Sequence, residues 1–341
     1  MKKYSICLIG FGNVGQALAA LLKEKSAEIS DVYDAEFSIN AIATGSHGRA
    51  INTAGIDLDQ ALSTTQAGEL LDPLSDVKSP ANMPDFIRAS GADFLVEVSP
   101  VNYETGEPAV THIRTALECG MHAVSANKGP VVHAYEELTA LAEEKGKRFL
   151  FESSVMDGAP IFSVFREALP AANVAGFTGI LNSCTNIIIE KMEGGDSFDE
   201  AVAYAQSIGI AETDPSGDVD GWDAAIKVAA LATVLMDIPT KPQDINVEGI
   251  RSLTGDVIQT ALDEGERWKL VCTAEKNGDE LTARVAPQRV SPASPLYSVS
   301  GTSSFVQFRS DVLPGLGILE SDPGPDTTAY GLLADMLNIL K

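Results

Sequence analysis

A short apolar run at residues 5–9 breaks into Gly10-Phe11-Gly12-Asn13-Val14-Gly15 and then into an amphipathic stretch over residues 13–27. A strand, a glycine turn and a helix in that order leave few folds open. The first glycine permits a tight turn, the second lets the backbone approach a pyrophosphate, and the third lets the helix pack closely on its strand. Free N–H groups at the start of the helix then suit phosphate oxygens. Gly10, Gly12, Asn13, Val14 and Gly15 are therefore the expected cofactor-binding turn of a dinucleotide fold, although the glycines alone would also serve a plain structural turn.

The same alternation continues. Residues 37–43, 93–98, 122–125 and 149–152 read as strands, with helices over 108–119 and 135–145, while residues 44–80 read as polar turns. Crossover units of this kind imply a parallel sheet. After Pro160 the character changes: strands over 175–181, 270–273, 282–286 and 305–309 belong to a different sheet, and helices fall at 161–169, 198–207 and 221–236. The expected fold class is α/β: an N-terminal Rossmann dinucleotide-binding domain over 1–150 and an α+β domain for substrate binding and dimerisation over 151–324. A last amphipathic segment at about 325–341 carries Leu332, Leu333, Met336, Leu337 and Leu340 on one face and is expected to pack back on the first domain.

Composition narrows the partners. A formal charge of −24 repels phosphate backbones and anionic membranes, which argues against nucleic acid as a partner. Cys7, Cys119, Cys184 and Cys272 form no CxxC pair, which fits reduced thiols and a cytoplasmic protein. The lysines at the start precede an apolar run too short for a leader, and the apolar run at 228–236 is too short to span a bilayer. His47, His112, His122 and His133 show no zinc-ligand spacing. A small-molecule substrate is expected, with no nucleic acid and no membrane.

Dinucleotide folds that prefer NAD place an acid at the end of the second strand for the ribose 2′-hydroxyl. Here that end reads Thr44-Gly45-Ser46-His47-Gly48-Arg49, without an acid. Ser46 and Arg49, with His47, are candidates for holding a 2′-phosphate, so NADP is the expected cofactor with NAD possible; a solvated loop is the other reading.

The densest chemistry lies at 205–227, where Glu212, Asp214, Asp218, Asp220 and Asp223 surround Lys227. Asp223 and Lys227 are spaced i, i+4 and so share a helix face. The residues after Lys227 are apolar, which speaks for a half-buried pair over a solvated one. Burial lowers a lysine's pKa and carboxylates raise it, a balance suited to proton transfer. A calcium loop is excluded, because its twelfth position, a bidentate glutamate, would fall on Lys227.

The pattern Ala205-x3-Gly209-Ile210-Ala211-x2-Asp214-Pro215-x2-Asp218-Val219-x-Gly221-x-Asp223-x3-Lys227 resembles the signature of the homoserine dehydrogenase family. Further segments agree in order along nearly the whole chain: Ser125-Ala126-Asn127-Lys128 is similar to the family's T-x-N-K segment, Glu152-x2-Val155-x-Asp157-Gly158-Ala159-Pro160 to its glycine-rich loop, and Gly179–Asn186 to its substrate-side turn. The resemblance implies reversible interconversion of aspartate 4-semialdehyde and homoserine with a nicotinamide cofactor, in the synthesis of threonine, methionine and isoleucine. It implies that Lys227 handles the hydroxyl proton, with Lys128 as second cationic group and Asp223 on the hydroxyl. Glu212 and Asp218 would meet the substrate amine, with Ser183 and Cys184 on the substrate side. Ser99, Lys128 and Gly324 would contact the cofactor. A monovalent cation such as sodium would sit on Glu152 and the backbone at Val155, Asp157 and Ala159, where a tight glycine turn is the competing reading. A homodimer or dimer-based oligomer is implied, and no appended regulatory domain is expected.

One departure stands out. The family reads Gly-Thr or Ser-Thr where this chain has Ser183-Cys184, so a hydroxyl partner is lost. Cys184 is either a substrate-side group or a small buried filler. A reductase of another short amino-acid aldehyde or hydroxy acid, and a non-catalytic nucleotide-binding redox sensor, remain open at this point.

Overall fold

A computed structural model describes residues Met1–Lys341. It divides into two compact units, Met1–Pro160 with Gly324–Lys341, and Ile161–Pro323.

The first unit opens with β1 (Lys2–Ile9), α1 (Asn13–Glu24), α2 (Ser26–Tyr33), β2 (Ala35–Ala43) and β3 (Arg49–Ile51). It continues with α3 (Leu58–Gln66), α4 (Met83–Ser90), β4 (Phe94–Glu97), α5 (Ala109–Glu118), β5 (His122–Ser125), α6 (Lys128–His133), α7 (Tyr135–Glu144) and β6 (Phe149–Leu150). The strand order is β3-β2-β1-β4-β5-β6. All neighbours run parallel except β2 and β3. β1 is exposed at Lys2 and Lys3 and buried without a break from Ile6 to Ile9. Burial on both faces is what a central parallel strand requires, and it explains a continuous apolar run in place of alternation. Gly10 turns the chain at φ +103°, where a Cβ would lie 2.7 Å from the Val98 carbonyl oxygen. Only glycine fits that step.

The second unit holds α8 (Ile161–Ser163), β7 (Val174–Ile180), α9 (Ser183–Glu193), α10 (Phe198–Ser207), α11 (Ser216–Val219), α12 (Trp222–Leu235), β8 (Asn246–Val247) and α13 (Gly255–Asp263). Then follow β9 (Arg267–Asn277), β10 (Glu280–Val290), β11 (Ser304–Ser310) and β12 (Leu316–Glu320). Its sheet runs β12-β11-β7-β9-β10-β8. The pairs are antiparallel except β8 with β10. α12 is buried on most of its surface, from Ala224 through Thr233 with Lys227 the half-buried exception. A helix apolar almost all round belongs inside a domain, which is why its one lysine is informative.

The chain then returns to the first unit as α14 (Pro325–Leu340). Ala329, Leu332, Leu333 and Met336 enter the core that contains Ile6, Leu8, Leu18, Ile42, Phe94 and Val96. The α/β fold class read from the sequence is the one observed. Several elements differ. The 44–80 stretch contains β3 and α3, whose helix is weakly apolar and is started by Asp57 accepting from the Asp59 and Gln60 N–H groups. α4 and α13 likewise start at side-chain caps, Asn82 and Thr254. The stretch expected to be one helix at 161–169 is a single α turn followed by π-helical winding at Val164–Ala168, and the expected strand at 149–152 stops at Leu150 before a 3-10 turn at Glu152–Ser154.

Leu332 is fully buried between α1 and the sheet. Leu332→Ala is expected to lower stability by about 2–5 kcal/mol, read from urea unfolding of the full chain.

Candidate active site

The glycine turn sits at the carboxyl end of β1, the edge where open parallel sheets bind ligands. Gly12 precedes α1 without any side-chain cap, so the N–H groups of the first turn are not satisfied by a capping residue. A Cβ built on Gly12 meets nothing within 4 Å. Open space and unclaimed N–H groups at a helix start fit a pyrophosphate. Asn13 is exposed, and Val14 half-buried.

At the end of β4, Glu97 is fully buried and the Ser99 N–H donates to its Oε1 at 2.8 Å, as does the Ser99 hydroxyl. The other oxygen, Oε2, lies 2.6 Å from Nδ1 of buried His112 on α5. Asn127 Nδ2 donates to the Ser99 carbonyl at 3.0 Å, while Asn127 Oδ1 caps α6 through the Gly129 N–H at 2.9 Å. Ser99 and Lys128, the first residue of α6, are thus fixed to one hydrogen-bonded chain that starts at His112.

At the end of β2 the picture is mixed. Ser46 is exposed. Arg49 Nη1 donates to the Pro80 and Ala81 carbonyls at 3.0 and 2.6 Å, so part of its guanidinium serves the chain itself. His47 Nδ1 lies 3.2 Å from the Glu69 carbonyl. An acid does reach this corner, from outside the strand: Asp72 Oδ2 accepts from the Arg49 N–H at 3.4 Å and crowds Gly48.

The turn after β6 buries Glu152, Val155 and Ala159, with Asp157 at φ +35°. α14 pins it. Asp335 Oδ2 accepts from the Glu152 N–H at 2.7 Å, the Ser153 hydroxyl donates to the Thr328 carbonyl at 2.8 Å, and the Thr328 hydroxyl donates to Asp157 Oδ1 at 2.6 Å. Gly324 caps the start of α14, its N–H donating to Thr327 Oγ1 at 2.8 Å.

In the second unit, three elements converge on one cluster. Lys227 Nζ lies 3.0 Å from Asp223 Oδ2 and donates to the Leu181 carbonyl at 2.7 Å. Asn182, buried at the start of α9, donates from Nδ2 to Asp218 Oδ1 at 2.6 Å and to Asp223 Oδ2 at 3.0 Å. Gly221, at φ +88°, makes the turn from α11 to α12 that sets Asp218 and Asp223 side by side; a Cβ there would strike Val247 at 2.9 Å. Burial and the adjacent Asp223 charge raise the Asp218 carboxyl above its ordinary range, opposed by the bond from Asn182, by Lys227 and by Cys184. Burial and the charges of Asp218 and Asp223 push the Cys184 thiol up. Cys184 is buried as the second residue of α9, beside the carboxylates that shift it. Ser183 Oγ lies 3.3 Å from Ser304 Oγ.

Two acids of the sequence block stand apart, and so does Glu212. Asp214 accepts from Ser216, and Asp220 pairs with Arg251 at 2.5 Å. Glu212 is exposed, and no bond joins it to the cluster of Asp218, Asp223 and Lys227.

Comparison with known proteins bears on the family of the chain. A family model described as the NAD binding domain of homoserine dehydrogenase matches residues 10–152, and a homoserine dehydrogenase model matches 160–337. An NAD(+)-dependent homoserine dehydrogenase from Pseudomonas canavaninivorans is 35% identical over 340 residues, covering 99% of this chain and 97% of its own. A homoserine dehydrogenase from Methanocaldococcus jannaschii is 35% identical over 335 residues, with 98% of both chains covered. Among solved structures, a hyperthermophilic archaeal homoserine dehydrogenase in complex with NADPH superposes with TM-score 0.83 at 29% identity, covering 99% of this chain and 98% of its own.

The chain belongs to the homoserine dehydrogenase family. It is an NAD(P)-dependent oxidoreductase acting on a CH–OH group.

Homoserine dehydrogenase membership was legible in the acid–lysine pattern, but four residues that shape the edges were not singled out in it. Asn182 lay inside the quoted substrate-side turn without a role, Glu97 inside an expected strand, and Asp72 in an expected loop. Lys269 on β9 is fully buried, donating to Asn186 Oδ1 at 2.8 Å and the Val299 carbonyl at 2.6 Å; burial and the Arg267 charge bring it down to about 8. Each bonds at least one partner distant in sequence. No group of three or more His, Cys, Asp or Glu side chains could hold a metal ion, and no helix is long and apolar enough to cross a membrane.

The Glu97–His112 pair is closed to solvent. His112→Ala removes one hydrogen-bond partner of buried Glu97, and the expected loss is about 1–3 kcal/mol, measured by urea unfolding against wild type.

Proposed function

We propose that this chain interconverts L-aspartate 4-semialdehyde and L-homoserine, and that Lys227 moves the proton of the substrate hydroxyl. The observation that carries this is the bonding of Lys227 Nζ, held between Asp223 at 3.0 Å and the Leu181 carbonyl at 2.7 Å at the head of an otherwise apolar helix. A lysine fixed on two acceptors in a half-buried pocket is oriented for proton transfer in a way a solvated lysine is not. A nicotinamide dinucleotide, when bound, supplies the hydride acceptor or donor. In oxidation the carbinol carbon gives up a hydride and its hydroxyl gives its proton to neutral Lys227, leaving the aldehyde. In reduction the ammonium of Lys227 returns that proton to the forming alkoxide. Asp223, 3.0 Å away, keeps the Lys227 amine in place for both directions, and reduction of the semialdehyde is the direction we assign in the cell.

The substrate is a zwitterion, so its ammonium calls for acids. Asp218, held at the cluster by Asn182, fits that role, and Glu212 is the exposed acid assigned to complete it. Ser183 and Cys184 flank the same turn, and Asp223 serves the hydroxyl side. Lys128 is the second cation, at the ligand edge of the first unit. Gly10, Gly12, Asn13, Val14 and Gly15 hold the pyrophosphate, Ser99 borders the nicotinamide side and Gly324 lies at the start of α14.

The 2′ position of the cofactor decides between NADP and NAD. Ser46 and the guanidinium nitrogens of Arg49 other than Nη1 support a 2′-phosphate, and NADP is the preferred cofactor on that reading. Asp72 favours a second reading, NAD, because its carboxylate stands at Gly48 where a phosphate would be repelled. An oxygen-only set of one carboxylate, Glu152, and the carbonyls of Val155, Asp157 and Ala159 suits a hard monovalent cation such as sodium better than a transition metal. The enzyme acts in cytoplasmic synthesis of threonine, methionine and isoleucine, as a homodimer or dimer-based oligomer.

Steady-state kinetics with aspartate semialdehyde and either NADPH or NADH test the reading; absence of turnover with both would overturn it. Lys227→Ala is expected to lower kcat by about 100- to 10,000-fold with little change in the KM for the cofactor. Asp72→Asn is expected to raise kcat/KM for NADPH relative to NADH by about fivefold, the factor that one nearby unit charge in water supplies; an unchanged ratio removes Asp72 from cofactor choice.

A further inference from the structure

Asn182 spends both ends of its carboxamide. Its Oδ1 accepts from the Thr185 N–H at 2.8 Å and the Thr185 hydroxyl at 2.9 Å, which caps α9. Its Nδ2 donates to Asp218 at 2.6 Å and Asp223 at 3.0 Å, with the residue 3% exposed. The residue before it, Leu181, gives its carbonyl to Lys227. Two carboxylates facing one another off water repel, and each needs a donor to stay ionised and in place. One NH2 group reaches both.

We propose that Asn182 is a positioning residue for the reaction: its Nδ2 clamps Asp218 and Asp223 together so that Asp218 is held for the substrate ammonium and Asp223 stays on Lys227. This rests on the assignment of Asp218, Asp223 and Lys227 to substrate and proton transfer. The charged and titratable groups at the clamp are Asp218 from α11, Asp223 and Lys227 from α12, Cys184 from α9, and Cys272 from β9, whose buried thiol is pushed up to about 12. The bond from Asn182 works against the rise of the Asp218 carboxyl, so its loss moves that carboxyl further up. Asp218 would then be protonated over a wider acid range, and the ammonium site would be lost at higher pH than in wild type.

The two halves of the carboxamide can be separated. Serine and aspartate are both good helix N-caps, so Asn182→Ser and Asn182→Asp keep the cap on α9 and lose the NH2 donor. Wild-type turnover of homoserine with NAD(P) is measured first, and its absence refutes the activity and not the clamp. With wild type active, both variants are expected to show kcat/KM for homoserine reduced about tenfold at neutral pH, with the acid limb of its pH profile shifted upward and the KM for the cofactor unchanged. The shift is expected to be larger for Asn182→Asp, which adds a third carboxylate to the pair. If either variant retains the wild-type thermal midpoint and also the wild-type pH profile, Asn182 is a helix cap alone and the proposal fails.

Discussion

Two carboxylates in a half-buried pocket impose the constraint around which the second unit is arranged. Asp218 and Asp223 come from consecutive helices, the four-residue α11 and the fourteen-residue α12, and Gly221 brings them together with a backbone angle that no larger residue takes without strain. Their repulsion is offset by donors from elsewhere: Asn182 at the start of α9, and Lys227 one turn along α12. The end of β7, the start of α9 and the head of α12 therefore have to meet at one point. The apolar remainder of α12 is buried, and the cluster at its head is only partly exposed, which makes each of these bonds count for more than it would at the surface.

The first unit solves a related problem with a different pair. Glu97 is buried at the ligand edge with His112 as partner and the Ser99 turn as hydrogen-bond donor. From Ser99 the chain of bonds runs through Asn127 to the first turn of α6, where Lys128 sits. The turn at Glu152–Ala159 is shaped by α14, a helix far away in sequence, through Asp335 and Thr328. α14 also fills the core beside α1. One helix thus contributes to the packing of the unit and to the shape of the candidate cation turn.

Much of this was legible beforehand. β1 announced itself as an unbroken apolar run, α12 as an apolar helix with one lysine, and Asp223–Lys227 as an i, i+4 pair. Elements with weak periodicity were missed: α3 is held by Asp57 capping more than by an apolar stripe, and α9 begins at Asn182, whose capping role shows only against Thr185. Glu212 is the opposite case, grouped with the other acids by sequence and separate from their cluster in space.

Local spacing fixed what local geometry can fix. The glycine turn, the helix faces and the Asp223–Lys227 pair follow from residues within a few turns of each other, because backbone sterics and helical periodicity act at short range; the resemblance to the homoserine dehydrogenase family rests on motifs in order along nearly the whole chain. The tertiary structure decided which distant groups share a carboxylate. Asn182 reaches Asp218 and Asp223 across about forty residues, His112 reaches Glu97, Asp72 reaches Gly48, and α14 reaches the turn after β6. Those pairings depend on how sheets and helices pack, and a buried polar group must find its partner wherever the packing places one.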